Sequence, residues 1–404
     1  MSPLFLPVFQ YYVLIMKVLI AGISVRAMAE SAVRSGYPVI ALDAFGDRDL
    51  HELTESYSLR RDFQDVYSPG ALYKASRKMN FEAVAYASNL ENYPGILARF
   101  GEKNRIVGNA PAVVAAVRNW SDLFGRLGRA GFPVPETCYA GAGRPVDSGR
   151  RRLVKPLLSG GGHGIHFYDP EIEQSSGSEN RYGVSGFMFQ EYIPGRPCSA
   201  AFVANGKECR ILGIAEQLIG MKAFGADGFR YTGTLLPVAE ILDSDSRSII
   251  LHKVRRLAEF LTREYGLAGV NGIDFILLND QVYLTEVNPR YSASMEVIEI
   301  AYGLPVFHLH WKAVVHGELP GFDLEAELKR GKFHGKGIIF AEKDVTMPGT
   351  ESWLGKGIRD VPASGEEIPG SGPVCTILAG GRNRAETLAE LIRRAEELKE
   401  EIYG

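Results

Sequence analysis

About two thirds of the way along the chain, in the run GIDFILLNDQVYLTEVNPR (272–290), three oxygen donors are spaced as a hard divalent cation would want them: Asp274, Glu286 and Asn288. Two apolar stretches flank Asn279-Asp280, which predicts a β-hairpin. Side chains alternate faces along a strand, so Asn288 shares the face of Glu286. Whether Asp274 joins them depends on the loop. A three-residue loop, Asn279 to Gln281, sets Asp274 directly opposite Glu286, whereas a two-residue Asn-Asp loop sends the acids to opposite faces. Two adjacent carboxylates repel unless a cation lies between them. Oxygen donors of this kind suit Mg2+ or Mn2+, which keep waters and phosphate oxygens as their other ligands. A half-exposed hairpin with solvent-facing acids would show the same spacing.

A second signal is LVKPLLSGGGHG (153–164), in which a strand bearing Lys155 runs into Ser159, Gly160, Gly161, Gly162, His163 and Gly164. Glycines let backbone N–H groups converge on an anion, and a lysine adds a point charge for a phosphate. The lysine precedes the glycines and no GK[ST] follows, so this is not a Walker loop. Alone, it also reads as a flexible surface hairpin. The third signal is FMFQEYIPG (187–195), an apolar strand halted at Pro194-Gly195, where exiting backbone could hold a planar base.

The elements that must position these residues follow from the periodicity. From Lys17 the chain reads strand (KVLIAGI), helix (Val25 to Ser35), Gly36 as a stop, then strand (PVIALD), with FEAVAYA as a later buried strand. Alternating βα units predict a doubly wound parallel sheet over residues 16–115. Asp43 stands where a dinucleotide fold holds a ribose, but the first turn is GISVRA and the GxGxxG fingerprint fails, so a Rossmann-like shape without its cofactor is expected. Strand patterns dominate 150–290, and the tail ends in a helix whose Leu388, Leu391, Ile392, Ala395, Leu398 and Ile402 form one stripe. The arginines over 118–152 (Arg118, Arg126, Arg129, Arg144, Arg150, Arg151, Arg152) read as a solvated basic face. DPEIEQSSGSEN (169–180) reads as an exposed loop.

Composition narrows the class. A 404-residue chain is expected to form about two to four domains. With 46% hydrophobic and 23% charged residues it is not disordered, and Lys+Arg 45 against Asp+Glu 48 excludes a dedicated nucleic-acid binder. Glycine is in surplus, 45 residues where about 7% is usual. Cys138, Cys198, Cys209 and Cys375 lie far apart without a CxxC pair, which fits a reducing, cytoplasmic setting. The apolar run Tyr11 to Ile23 is broken by Lys17 and too short for a membrane span. Residues 1–15 read as an extension ahead of Met16.

Taken in order, the glycine loop after Lys155, QEYIPG and DF…EVNPR resemble the ATP-grasp superfamily. Within it the chain is most similar to the predicted ATP-dependent carboligases related to biotin carboxylase. The resemblance implies an α/β and α+β multidomain protein. Its parts would be a Rossmann-like N-terminal domain (16–115), an ATP-grasp domain of two α+β subdomains with nucleotide between them (116–330), and a small biotin-carboxylase-like domain (331–404). AGFPVPET (130–137) looks like the strand opening the nucleotide-binding half.

By the same resemblance Lys155 contacts the nucleotide phosphates, Ser159 to Gly164 form the phosphate loop, and Gln190 with the backbone of Glu191 and Ile193 holds adenine. Asp274, Glu286 and Asn288 hold Mg2+ or Mn2+, and Arg290 stands at the reacting carboxylate or phosphate. A family lysine is missing where this chain reads RNWSDLF (118–124), and Arg118 is its stand-in. Gln190 replaces a common Glu, and its amide oxygen can still accept from an adenine amino group. The implied activity is an ATP-dependent ligase that turns a small-molecule carboxylate into an acyl phosphate and joins it to an amine or similar nucleophile, releasing ADP and phosphate. A bicarbonate-using carboxylase and a nucleotide-binding regulator without turnover are the alternatives. Arg230 and Tyr231, in KAFGADGFRYTGTLLP (222–237), are substrate candidates, with Glu216 and Gln217 behind them. His163 is a weaker catalytic candidate, and His166 alternates into an apolar strand. Small-molecule substrates, no nucleic acid, no membrane and room for a homodimer complete the expectation.

Overall fold

A computed structural model describes residues 16–139, 149–169, 186–238, 244–331 and 333–404. Residues 1–15, Arg144 and all but Asp169 of the 169–180 segment lie outside the described residues. The fold is mixed α/β. Strands β1 (Val18–Ala21), β2 (Val39–Asp43), β3 (Glu55–Ser58), β4 (Ala83–Tyr86) and β5 (Arg105–Ile106) form a parallel sheet in the order β3-β2-β1-β4-β5. A parallel sheet must hide both faces. Val18, Ile20, Val39 and Ala41 accordingly enter one apolar cluster, while Leu19, Ala21, Ile40 and Leu42 enter another. The helix Arg26–Arg34 ends just before Gly36, whose φ of +82° closes the turn.

β6 (Thr137–Tyr139), β7 (Arg152–Pro156), β8 (His166–Phe167) and β9 (Phe187–Glu191) make an antiparallel sheet in the order β6-β9-β7-β8. A seven-stranded antiparallel sheet follows. It contains β10 (Arg196–Asn205), β11 (Cys209–Ile219), β12 (Tyr231–Leu236), β13 (Ala268–Leu278), β14 (Gln281–Asn288), β15 (Phe333–Phe340) and, after the short ribbon β16 (Val345–Thr346) with β17 (Glu367–Ile368), β18 (Pro373–Gly381). Its order is β14-β13-β10-β11-β12-β15-β18. The sheet therefore runs across residue 330, because β12 pairs with β15. Gly233 makes that junction possible: a Cβ there would sit 2.1 Å from the Lys336 carbonyl oxygen.

Period-two alternation splits β10 between two cores. Cys198, Ala200, Phe202 and Ala204 pack with Val254, Leu257 and Leu261 of the helix Ser244–Tyr265, whereas Ala201 and Val203 join Ile298, Phe307 and Trp311 and the parallel sheet. The tail helix Arg384–Tyr403 buries Leu391, Ala395, Leu398 and Ile402 around Trp353, with Leu388 and Ile392 partly buried beside them. No helix among the described residues is long and apolar enough to cross a membrane.

Charge also docks the parallel sheet onto the rest. Arg26, 1% exposed, donates to Asp360 through Nε (3.0 Å) and Nη2 (3.2 Å) and to Glu296, whose other oxygen accepts from Lys336 at 2.6 Å. Asp49 receives the backbone N–H groups of Asp360 and Val361. Asp43 is buried, and its Oδ1 accepts from Phe45 and Gly46 N–H at 3.1 and 2.9 Å, an arrangement that shapes the turn.

Candidate functional site

The hairpin β13–β14 resolves the open question of the loop in a way neither option anticipated. Leu278 pairs with Gln281, so the loop has two residues, Asn279 and Asp280, both at positive φ as a tight hairpin of this length requires. Asp274 nevertheless faces Glu286. Thr285 has no partner of its own because the register jumps from Phe275–Leu284 to Asp274–Glu286, and this β-bulge restores the common face. The Thr285 hydroxyl donates to the Asp274 carbonyl at 3.0 Å and anchors the bulge.

Around this hairpin end the site assembles from several segments. Asp274 accepts from Gln217 Nε2 (2.9 Å, Oδ1) and Asn288 Nδ2 (2.8 Å, Oδ2). Burial, with the neighbouring Glu286 charge added, pushes its carboxyl up to about 7. Glu286 receives Arg118 Nη1 at 2.7 Å. Lys155 on β7 extends Nζ to the Gln190 side-chain oxygen on β9 at 3.1 Å and to the Thr285 carbonyl at 3.4 Å. Desolvation holds its ammonium below the usual lysine range against the pull of Glu286 and Asp274. Arg290 places Nη2 at 3.2 Å from Asn288 Oδ1 and Nη1 at 3.0 Å from the Tyr291 carbonyl, with Nε 2.7 Å from Glu91. Gln190 Nε2 donates to Thr137 at 3.2 Å, which fixes the amide so that its oxygen meets the lysine.

The glycine loop lies beside this cluster. Gly161, Gly162 and Gly164 have φ of +61°, +75° and +76°. Tyr231 N–H donates to the Gly161 carbonyl at 2.9 Å, and a Cβ on Gly162 would lie 1.8 Å from the Phe229 carbonyl oxygen. Ser159 donates to the His163 carbonyl at 2.6 Å, while Gly160 and His163 are exposed on the loop. His166 hydrogen-bonds the Gly164 carbonyl at 3.2 Å.

Other candidates are placed differently. Arg230 caps the Ser371 carbonyl and stacks 5.0 Å from the Phe340 ring, so its guanidinium serves the junction with the C-terminal strands. The Tyr231 hydroxyl bonds Thr234 at 2.6 Å, and burial raises its pKa with Asp274 and Glu296 adding to the effect. Glu216 takes a two-pronged contact from Arg384 at 2.6 and 2.8 Å and is structural, whereas its neighbour Gln217 reaches the site. The Glu191 side chain pairs with Arg150 at 2.9 Å, and its N–H donates to the Glu136 carbonyl at 2.8 Å. Ile193 is buried and its carbonyl accepts from Gly195 N–H at 2.9 Å.

The arginine-rich stretch is not a uniform solvated face. Arg118 lies inside, stacked 4.3 Å from the Trp120 ring, and Arg152 is buried against Glu136. Arg118 finds its partner 168 residues away, which no local charge pattern reveals. Sequence reasoning also missed Glu91 and Asn92, which touch Arg290 and Arg118.

The donor set fits a hard cation. Two carboxylates and an amide share one face, and burial, with the Glu286 charge added, raises the Asp274 carboxyl to about 7.

Residues 118–294 match the family model of the ATP-grasp domain. An uncharacterized protein of Methanocaldococcus jannaschii is 21% identical over 90% of this chain and 88% of its own length. The carbamoyl phosphate synthase large chain of Clostridium beijerinckii is 25% identical over 58% of this chain, which spans 20% of that relative's length. Among solved structures, the biotin carboxylase domain dimer of Hydrogenobacter thermophilus 2-oxoglutarate carboxylase, in complex with MgADP, ADP and bicarbonate, superposes with a TM-score of 0.70. It covers 95% of this chain and 90% of that one at 17% identity, a likeness of fold.

Proposed function

We propose, from the match of residues 118–294 to the ATP-grasp domain, that the chain is an ATP-dependent ligase. It would activate a small-molecule carboxylate as an acyl phosphate and join it to an amine or similar nucleophile, releasing ADP and phosphate. The observation that carries this reading is the convergence of Lys155, Asp274, Glu286, Asn288 and Arg290 on one hairpin end beside a positive-φ glycine loop. Phosphoryl transfer to a carboxylate brings anions together, and positioned positive charge lowers that barrier. Lys155 and Arg290 supply fixed charge. Asp274, Glu286 and Asn288 would hold Mg2+ or Mn2+, which neutralises phosphate oxygens when bound. Arg118 sits on Glu286, so in this arrangement it tempers that carboxylate instead of reaching a phosphate. Gln190 and the chain through Glu191 and Ile193 offer the adenine its edge, and the 159–164 loop closes over the phosphates and excludes water.

The same reading assigns 16–115 to a Rossmann-like domain, 116–330 to the ATP-grasp domain and 331–404 to a biotin-carboxylase-like domain. It places a homodimer in the cytoplasm. The test is ADP release with MgATP across pooled carboxylates and amines, with Glu286→Ala as control. Turnover that needs both pools and disappears in the control is the expected result. Turnover with bicarbonate alone would make it a carboxylase, nucleotide binding without turnover a regulator, and no ATP binding would sink the assignment.

A further inference from the structure

We propose that Glu91 and Asn92 are positioning residues through which the parallel-sheet unit sets the two arginines of the site: Glu91 aligns Arg290 for the carboxylate, and Asn92 aligns Arg118 over Glu286. The inference rests on the ligase reading above. Both residues come from one short turn, Leu90–Asn92, yet each reaches a different arginine. Glu91 is 2% exposed with one oxygen 2.7 Å from Arg290 Nε, and Asn92 accepts from Arg118 Nη2.

The turn is held firmly enough to aim them. Leu90 N–H donates to Ala87, Asn92 N–H to Asn89 and Tyr93 N–H to Leu90, while Tyr67 bonds the Asn89 side chain at 2.8 Å. The unit is also registered against the strand that carries the site. Tyr86 and Asn109 both donate to the Pro289 carbonyl, at 3.0 Å each, one residue before Arg290. Arg290 is thereby held by hydrogen bonds from Nη2 to Asn288 and from Nη1 to the Tyr291 carbonyl, and on its Nε side by the charge of Glu91, 2.7 Å away, with no hydrogen bond formed there. A guanidinium recognises a carboxylate by its planar fork, so orientation is what a partner on Nε controls. Arg118 lies between Asn92 and Glu286 and sets how much of the Glu286 charge is left for a metal–nucleotide complex. Glu91 Oε2, Asn92 Nδ2, Arg290 Nε and Arg118 Nε are all buried without a hydrogen-bond partner among the described residues, so this polar cluster is not accounted for by packing alone.

Two measurements separate this from a purely structural role: MgADP affinity by calorimetry, and the carboxylate dependence of ADP release with the pooled carboxylates. Glu91→Ala is expected to lower kcat/KM for carboxylate about tenfold or more with MgADP affinity unchanged, and Glu91→Asp, which keeps the negative charge, to recover part of it. Asn92→Ala is expected to weaken MgADP about tenfold, with Asn92→Asp restoring it. If both alanine variants lose MgADP affinity alike, if neither changes anything, or if the conservative variants fail to rescue, the assignment is overturned. A wild-type protein without carboxylate-dependent turnover would refute the ligase reading instead, and the contrast in MgADP affinity between the two alanine variants would still decide the pair.

Discussion

Two aspartates of this chain meet the same physical pressure and answer it differently. Burial pushes both Asp43 and Asp274 up to about 7. Asp274 sits among Gln217, Asn288, Glu286 and Lys155, an arrangement that a cation would relieve. Asp43 faces Asp360 and has only backbone donors, so its charged form is a standing cost. The sign of that cost is fixed by linkage. The unfolded chain ionises near the ordinary 3.8 and the folded one near 7, so this group's contribution to stability falls as pH rises through that interval. Asp43→Asn keeps an acceptor oxygen for Phe45 and Gly46 but cannot ionise. Its stability relative to wild type should therefore improve between about pH 4 and pH 8, which thermal unfolding at the two ends of the window measures directly. A difference that does not change with pH would show that Asp43 is not strained by its charge.

At the scale of elements, the hairpin was legible from its alternation and its Asn-Asp loop, and so was the strand–glycine loop–strand order that gives the superfamily. The bulge was not. It hangs on one residue, Thr285, and on its bond to the Asp274 carbonyl, which alternation rules do not encode. The partners of Arg118 and Gln217 were hidden for a related reason: they lie 168 and 57 positions away and become neighbours only in the fold. The glycine surplus found an address partly in the loop and partly in close backbone approaches such as Gly162 and Gly233. Those approaches permit a paired prediction. Gly162→Ala places a Cβ 1.8 Å from the Phe229 carbonyl oxygen at a φ of +75°, and should cost about 1–3 kcal/mol in the seating of the loop, with MgADP affinity falling accordingly. Gly160→Ala has nothing within 4 Å of the new atom and should bind MgADP as wild type does. Equal losses in both would mean that loop flexibility, and not its packed conformation, is what the nucleotide uses. Deleting Thr285 tests the bulge itself. Without that residue the hairpin continues from Phe275–Leu284 straight to Asp274–Glu286 in regular register, so the two acids still share a face and Mg2+-dependent nucleotide binding should persist with the far-UV circular dichroism of a folded chain; its loss would show that the bulge and the Thr285 bond to the Asp274 carbonyl also aim the carboxylates.

The whole molecule depends on a buried charge network that no segment of the sequence announces. Arg26 from the parallel-sheet unit, Glu296 from the helix Ser294–Tyr302, and Lys336 and Asp360 from the C-terminal strands and loop meet where the three parts join. Burial alone would raise Glu296, but Arg26 and Lys336 outweigh it and hold the carboxyl at about 2, and Asp360 is likewise held well below its ordinary range. A depressed acid stabilises the fold at pH above its unfolded value, near 4.5 for Glu296, and loses that contribution as pH falls through about 2. Arg26→Met removes the common partner and leaves buried Glu296 and partly buried Asp360 with Lys336 as the remaining cation. Breaking such a network by deleting one side costs about 3–5 kcal/mol at neutral pH. The cost should shrink in acid, because in the variant the two carboxyls protonate more readily and shed the burden of burial. Denaturant unfolding of both proteins at about pH 7 and about pH 3 reads this as a convergence of their stabilities. A gap of the same size at both pH values would show that Arg26 acts through packing of its stem and not through its charge, and would remove ion pairing as the force that holds the three parts in register around the site.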